Sequence, residues 1–430
     1  MPKIASNAFP VSGLFAIAKP SGPTSMSLLN DMQPLIATSK LFVSEDKIAE
    51  LKKNKRPSSK KLRQAVKIGQ GGTLDPLADG VLVVGVGKGT KKLNEFLLCS
   101  KEYRTTGLLG CETDTYDSEG AQVRQAHWRH VTREMVEAAI PPFVGEIKQT
   151  PPIFSALKMD GKPLYEYARG GIPLPRPIEA RPVTVHSLEV VEWLGSDHSF
   201  RPPEKRLSDA EREKLEAALR SVQPDAKVKD EPEPATATEA PAAETTKPAP
   251  TEGAEQQGEG ITQEAATVTS AGNPTAFSLK MTVSSGTYVR TIVHDLAHAV
   301  GSAGHVVVLT RTRQGKFTLA DDSASDPSKA THEDAAETST TADAANPSAD
   351  AEAPSASMVA DAAGPSTVEG AAKSAAPAAA EADPTLAPAP TMTAIPWAVF
   401  ERAIKKEDGE PDAEGWREWE REVMARMEVV

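Results

Sequence analysis

Residues 69–93 read GQGGTLDPLADGVLVVGVGKGTKKL, and the order of residue types in that stretch decides what the chain can fold into. Leu82 to Val86 is a nearly continuous apolar run, which predicts a strand lying inside a sheet. The glycines ahead of it permit tight backbone turns, and Pro76 fixes the turn directly after Asp75. No Gly-Lys-Ser/Thr follows at the spacing of a Walker phosphate loop, and the glycines form no dinucleotide fingerprint. What the stretch offers chemically is one carboxylate, Asp75, held between Leu74 and Pro76 at the mouth of a buried strand. An Asp in a turn ordinarily acts as a cap, so its role depends on what the rest of the chain supplies.

Outward from this stretch, residues 14–19 (LFAIAK) predict a second strand, stopped by Pro20-Ser21-Gly22-Pro23. Thr24 or Ser25 can cap a helix with Leu28, Leu29, Met32 and Ile36 on one face, and Pro34 falls in its far half. KEYRTTGLLG, 101–110, reads as a strand followed by a polar turn, CETDTYDSEG, whose acids do not match a twelve-position calcium loop. A helix from Thr132 presents Met135, Val136, Ala139 and Ile140 and stops at Pro141-Pro142; Leu164, Tyr165, Tyr167 and Ala168 predict another that leans on the core. Residues 183–193 form a strand. Phe277, Leu279, Met281 and Val283 alternate with Ser278, Lys280, Thr282 and Ser284, which is the pattern of a half-buried strand. SSGTYVRT, 284–291, then turns into a helix with Ile292, Val293, Leu296, Ala299 and Val300 on one side, ended by Gly301 and Gly304. Residues 306–317 read as a strand with a basic rim.

The 430 residues carry a net charge of −12, but that charge is unevenly placed. Residues 1–201 hold 27 Lys and Arg against 21 Asp and Glu, and 273–320 hold 5 against 1. The acidity sits elsewhere, so the expected core is basic and suits a polyanionic partner. Between Lys52 and Lys67 there are eight bases and no acid: Lys52, Lys53, Lys55, Arg56, Lys60, Lys61, Arg63 and Lys67. Such a cluster is either a solvated surface arm or a set of phosphate contacts. Residues 225–271 and 321–392 are crowded with Ala, Pro, Thr, Ser and Glu and lack the large apolar residues needed to offset ordering, so disorder is expected there. The domain reading is one core in two parts, 1–201 (with a basic arm over 40–67) and 273–320. They are split by an acidic, mostly disordered insertion at 202–272. A low-complexity tract at 321–392 follows, then a short terminal segment at 393–430 able to pack on the core. Cys99 and Cys111 make no disulfide framework, the eight histidines show no ligand triad, and no apolar run approaches a membrane span. Lys3 is the one base before Lys19, which favours nucleus or cytoplasm and keeps the mitochondrion open.

GGTLDPLADGVLVVGVGKGTK closely resembles the catalytic motif of the TruB family of tRNA pseudouridine synthases. The resemblance continues through KEY, TDTYDSEG, QTPPIFSALKMDGKPLYEYARGG and SSGTYVRTIVHDLAHAVGSAGHVVVLTRTRQGKF, in the family's order over about 14–193 and 273–320. The basic arm, the insertions and WAVFERA look like the eukaryotic, especially fungal, members that modify uridine 55 of the tRNA TΨC arm. The resemblance implies an α/β fold of the α+β type, the pseudouridine synthase fold: a mixed, largely antiparallel sheet flanked by helices, with long disordered insertions. It implies Asp75 as catalytic carboxylate, Tyr103 as the ring that stacks on the target base, Arg290 as the partner of the carboxylate and Asp117 as the acid orienting Arg290. Lys19 corresponds to a supporting amino-terminal residue. Gln70 stands directly before the first motif, Gly72, Thr73, Lys158 and Tyr288 fall in the matching motifs, and Lys101 and Arg104 flank Tyr103 where they can face phosphate. Bacterial members usually carry His where Gln70 stands, and Gln lacks the ring and charge of imidazole. The implied enzyme is an isomerase without cofactor or metal, a monomer acting on tRNA with no obligate protein partner. Two alternatives use the same scaffold: a non-catalytic tRNA-binding or folding factor, and a structural component of a box H/ACA particle. Asp75, Tyr103 and Arg290 argue against the first. The lack of a recognisable RNA-binding domain argues against the second.

Overall fold

The computed structural model describes residues 9–53, 58–155, 157–170, 172–220, 230, 272–320 and 391–430. In chain order the first half contains β1 (Gly13–Lys19), α1 (Ser25–Thr38), α2 (Glu45–Lys52), α3 (Ser59–Ala65), β2 (Ile68–Gln70), β3 (Asp79–Val86), α4 (Leu93–Leu98), β4 (Lys101–Leu109), β5 (Cys111–Thr113), β6 (Gln122–Gln125), α5 (Arg133–Ala139) and β7 (Gly145–Gln149). There follow β8 (Lys158–Met159), β9 (Lys162–Pro163), α6 (Leu164–Gly170), β10 (Arg181–Gly195), α7 (Asp209–Arg220), β11 (Ala276–Val283), α8 (Val289–Ala299), β12 (Gly304–Gln314) and β13 (Phe317–Thr318). The carboxyl-terminal piece adds β14 (Met392–Thr393), β15 (Ile395–Pro396), α9 (Trp397–Lys405), α10 (Glu418–Arg426) and β16 (Glu428–Val429). These residues belong to one compact unit; a second, Lys329–Ala389, lies outside the described residues.

One mixed, largely antiparallel sheet runs β15-β1-β3-β12-β4-β11-β10-β7. The run at Leu82–Val86 is apolar throughout because both faces of the sheet are covered here. Phe15, Ile17, Leu82 and Val84 face a core shared with α1, α9 and α10, while Leu14, Ala16, Val81 and Val83 face Leu93, Phe96 and Phe317. Thr24 caps α1, accepting from the Ser27 amide, and the helix runs through Pro34 to Thr38. β3 and β12 run parallel for two residue pairs only, Thr310 with Asp79 and Arg311 with Gly80. Gly80 has φ of +101°, and a Cβ there would lie 2.3 Å from the Arg311 carbonyl oxygen. The close approach requires glycine. It also brings β12 beside the loop that carries Asp75.

Several expectations need correction. Met135 and Ala299 are exposed: α5 buries Val136, followed by Ile140, and α8 is buried over Val289–His294, Leu296 and Ala297 but turns Ala299 outward. α6 does not lean on the main core; Leu164 and Tyr167 pack with Met159 and Ile178 in a small separate cluster. The stretch 111–119 is not all turn, since Cys111–Thr113 forms β5 and pairs with β6. Gly301 (φ +72°) ends α8, but Gly304 opens β12. Arg311 is buried rather than on a basic rim. The boundary at 392 cuts through β14, which pairs with β13. In the 202–272 insertion, Lys205 and Leu207 hydrogen-bond to Gln122, and α7 follows. Nearly all of 225–271 and 321–392 lies outside the described residues. No helix among the described residues is long and apolar enough to cross a membrane.

Candidate active site

The loop between β2 and β3 carries Asp75, and its backbone is held from three sides. Ser25, the first residue of α1, exchanges hydrogen bonds of 2.9 Å with the Leu74 amide and carbonyl through its Oγ. Lys19, buried at the end of β1, donates from Nζ to the carbonyls of Pro20 (2.8 Å), Pro76 (3.2 Å) and Ala78 (2.6 Å). From β12, Arg311 donates to Val81 O (2.7 Å) and Gly72 O (2.9 Å), and Gln314 donates to Gly71 O. A loop outside the sheet ladder leaves its carbonyls without partners, and these three buried side chains supply them. Gly72, at φ +136°, takes a conformation that side chains resist.

Burial lowers the Lys19 ammonium to about 8, although Asp79 and Asp75 nearby favour its charge. The unfolded chain keeps its proton to higher pH, so deprotonation of Lys19 between about 8 and 10.5 does not itself destabilise the fold. It does remove the cation from three loop carbonyls. The rate of the reaction assigned below should therefore fall as pH rises through about 8, with no matching loss of Tm, and Lys19→Arg should shift or remove that limb. A pH–rate series on both proteins measures it; identical alkaline limbs would rule Lys19 out.

Arg290 enters from the first turn of α8. SSGTYVRT places it there because Ser284–Thr287 turns the chain off β11, and Gln149 locks Tyr288, the N-cap, by hydrogen bonds to both its amide (2.7 Å) and its carbonyl (3.0 Å). The guanidinium is 5% exposed and bridges two carboxylates: Nη2 lies 2.8 Å from Asp75 Oδ2 and Nη1 lies 3.5 Å from Asp117 Oδ2. Nη1 also donates to Thr115 O and Nη2 to Phe154 O (3.2 Å). The guanidinium is thus a fork shared between Asp75 and Asp117, with one nitrogen toward each carboxylate. Asp117 is buried and fixed by Thr115 Oγ1 (2.6 Å) and the Glu119 amide (3.1 Å); burial pushes its carboxyl upward while Arg290 opposes that. Asp75 is 41% exposed at its side chain. It is anchored from behind and open in front.

The remaining candidates divide. Tyr103 sits in β4, buried, in register with Arg311 on β12, whose side chain reaches Gly72 at the start of the Asp75 loop. No hydrogen bond joins it to Asp75 or Arg290 among the described residues. Gln70 donates to Thr73 Oγ1 at 3.1 Å. Lys101 is buried and donates to Leu97 O and Cys99 O (both 2.7 Å), so it is unavailable to phosphate; burial also lowers its pKa. Arg104 points to the sheet face opposite Tyr103 and pairs with Glu192 at 3.0 Å. Lys158 is exposed on the β8–β9 hairpin. Of the arm, Lys52, Lys53, Lys60, Lys61, Arg63 and Lys67 are exposed, and Lys55 and Arg56 lie outside the described residues. Ser25, Gln149, Arg311 and Gln314 were missed. Arg311 alone carried a signal: it follows Leu309 by two residues, in the buried phase of its strand.

Comparison with known proteins gives the class first. The family described as "TruB family pseudouridylate synthase (N terminal domain)" matches residues 60–205, the stretch that includes Asp75, Tyr103 and Asp117. The class these matches define is that of the pseudouridine synthases, which are isomerases. The tRNA pseudouridine synthase 4 of Schizosaccharomyces pombe is 39% identical over 337 residues, covering 73% of this chain and 81% of that protein. The protein of the same name in Saccharomyces cerevisiae is 37% identical over 324 residues, covering 72% and 78%. A solved structure, a Cbf5-Nop10-Gar1 complex, is 18% identical with a TM-score of 0.36, over 72% of this chain and 50% of that one. The chain belongs to the TruB family.

Proposed function

We propose that this protein converts uridine 55 in the TΨC arm of tRNA to pseudouridine, with Asp75 as the catalytic carboxylate. The observation that carries the reading is the open face of Asp75 combined with its anchorage to a buried arginine. Such a carboxylate has a fixed direction and room for a substrate. The isomerisation breaks the N1–C1′ bond, turns the uracil and joins C5 to C1′; the C5 proton leaves and N1 gains one. The target must leave its stack first, since a side chain cannot reach the sugar–base junction within paired RNA. An Asp75 oxygen serves either of two routes, attack on C1′ or abstraction of the 2′ proton. Tyr103 offers its ring to the everted base and its hydroxyl to the C5 proton. The relatives' names supply tRNA as the substrate class. Mapping pseudouridine at nucleotide resolution on tRNA transcripts incubated with the protein tests the reading, and an unmodified position 55 would refute it.

The arm extends the same reading to the RNA backbone. Leu62 of α3 is buried, Gln33 holds the Leu62 and Val66 carbonyls at 3.4 and 3.2 Å, and the lysines face outward. Lys52, Lys53, Lys60 and Lys61 changed together to Gln should weaken tRNA binding. The slope of log K against log salt should flatten by roughly 0.7–0.9 for each phosphate that is no longer neutralised. An unchanged slope in a salt titration would assign these charges to solvent alone.

A further inference from the structure

Further along α8 than Arg290 lies a second group of ionisable side chains. Glu112 of β5 and His294 and His298 of α8 each bring a metal-ligand atom within 4.8 Å of the others. The arrangement invites a divalent cation, yet a cation is already built in. Arg124 of β6, 1% exposed at its side chain, places Nε 2.9 Å from Glu112 Oε2. Its Nη2 lies 3.2 Å from His298 Nε2 and donates to Ser302 O. A guanidinium and a dication at one carboxylate oxygen repel strongly in so dry a place. The cluster is a self-neutralising ion network.

His294 links that network to the turn that receives Arg290 through its contact with Tyr116. It follows Arg290 by four residues on α8 and so lies on the same helix face, one turn further on. Its ring stacks on Tyr116 with centroids 3.9 Å apart and planes 23° apart. Tyr116 has φ of +63°, a strained conformation for a bulky residue, which persists only when its surroundings hold it. The residues on either side of Tyr116 are the ones that receive Arg290: Thr115 through its carbonyl and Asp117 through its carboxylate. The His294 ring has Nδ1 2.9 Å from Asp295 Oδ1 and Nε2 3.1 Å from Glu112 Oε1, the latter at ion-pair distance but without hydrogen-bond geometry. Burial disfavours its charge, but Glu112 and Asp295 outweigh that and raise it to about 9, so the ring is cationic at neutral pH.

We infer that His294 is a positioning residue for the reaction: its ring, stacked on Tyr116, holds the Thr115–Asp117 turn in the shape that receives Arg290, and through Arg290 it aims Asp75. The inference rests on the function proposed above, and the experiment separates the two. Single-turnover rates and tRNA dissociation constants are measured for wild type, His294→Ala and His294→Phe. Phe keeps a ring against Tyr116 and leaves Glu112 paired with Arg124 and His298. The alanine protein should lose about ten-fold in rate with its Kd within about two-fold of wild type, and Phe should restore the rate to within about three-fold. No product from wild type overturns function and inference together. Normal wild-type turnover with an unslowed alanine variant overturns the inference alone, as does a slow Phe variant equal to Ala. If the alanine protein does not fold, His294→Gln replaces it: a slow Gln beside a near-normal Phe supports the role, and equal rates overturn it. One equivalent of zinc retained by the purified wild type would put a metal where Arg124 is placed here, and would overturn the network.

Discussion

Asp75→Asn is expected to lower pseudouridine formation by at least about 10^4-fold, the scale seen when a reaction loses the side chain it depends on. Asn has the same shape and keeps a carbonyl oxygen toward Arg290, but it cannot be an anion and is a poor nucleophile or base. The change should leave the fold nearly untouched. Asp75 is partly exposed, and Arg290 retains Asp117, Thr115 O and Phe154 O as acceptors. Stability should move by no more than about 0.5 kcal/mol, as for a surface substitution, and tRNA affinity should persist. Tritium release from RNA labelled at uracil C5 measures the rate, and a filter-binding titration on the same preparation measures affinity. Turnover equal to wild type would remove Asp75 from the chemistry. Parallel loss of binding would instead assign it to substrate capture.

The parts of this site that could be read from the chain are the ones written in side chains over short distances. Leu82–Val86 announces a covered strand because nothing in it is polar, and the alternation from Phe277 to Val283 announces a half-buried one, although Ser278 on its polar side is buried too. Asp75 stands out because a proline and a glycine-rich turn fix it beside such a strand. The apparatus around it is less visible. Lys19 and Arg311 act on the backbone carbonyls of Pro76, Ala78, Gly72 and Val81, and carbonyls look alike in every sequence. Arg311 has a strand phase that hints at burial, but its charge reads as part of a basic rim until the two-residue parallel contact between β3 and β12 shows it to be enclosed. Lys101 failed for a related reason. A base beside a candidate tyrosine suggests a phosphate contact, but its ammonium closes the carboxyl end of α4. The Glu112–His294–Arg124 network joins β5, β6 and α8, whose order in the chain gives no hint that they meet.

Arg290→Met is expected to damage rate and stability together, and the two losses can be pulled apart. Met fills much of the same volume, so the effect arises from charge and hydrogen bonds rather than from a cavity. Asp117 is left buried without its cation, and the Thr115 and Phe154 carbonyls lose their donor. Removing one member of a buried ion pair costs about 3–5 kcal/mol, while Asp75, being partly exposed, can recover water. The rate should drop at least about 10^2-fold, because Asp75 is no longer aimed. Asp117 then decides the pH dependence. Burial already pushes its carboxyl upward, and without Arg290 it rises further. A folded-state pKa above the unfolded value means that the folded protein holds the proton longer, so stability declines as pH rises through that window. The deficit of Arg290→Met in urea unfolding should therefore be larger at pH 8 than at pH 5. Adding Asp117→Asn should return much of the stability, because a neutral amide tolerates burial better than a lone carboxylate, but should return none of the rate, because Asp75 still lacks its anchor. A single mutant whose stability deficit is the same at both pH values, or a double mutant that recovers turnover, would show that the bridge between Asp75 and Asp117 does not organise this site.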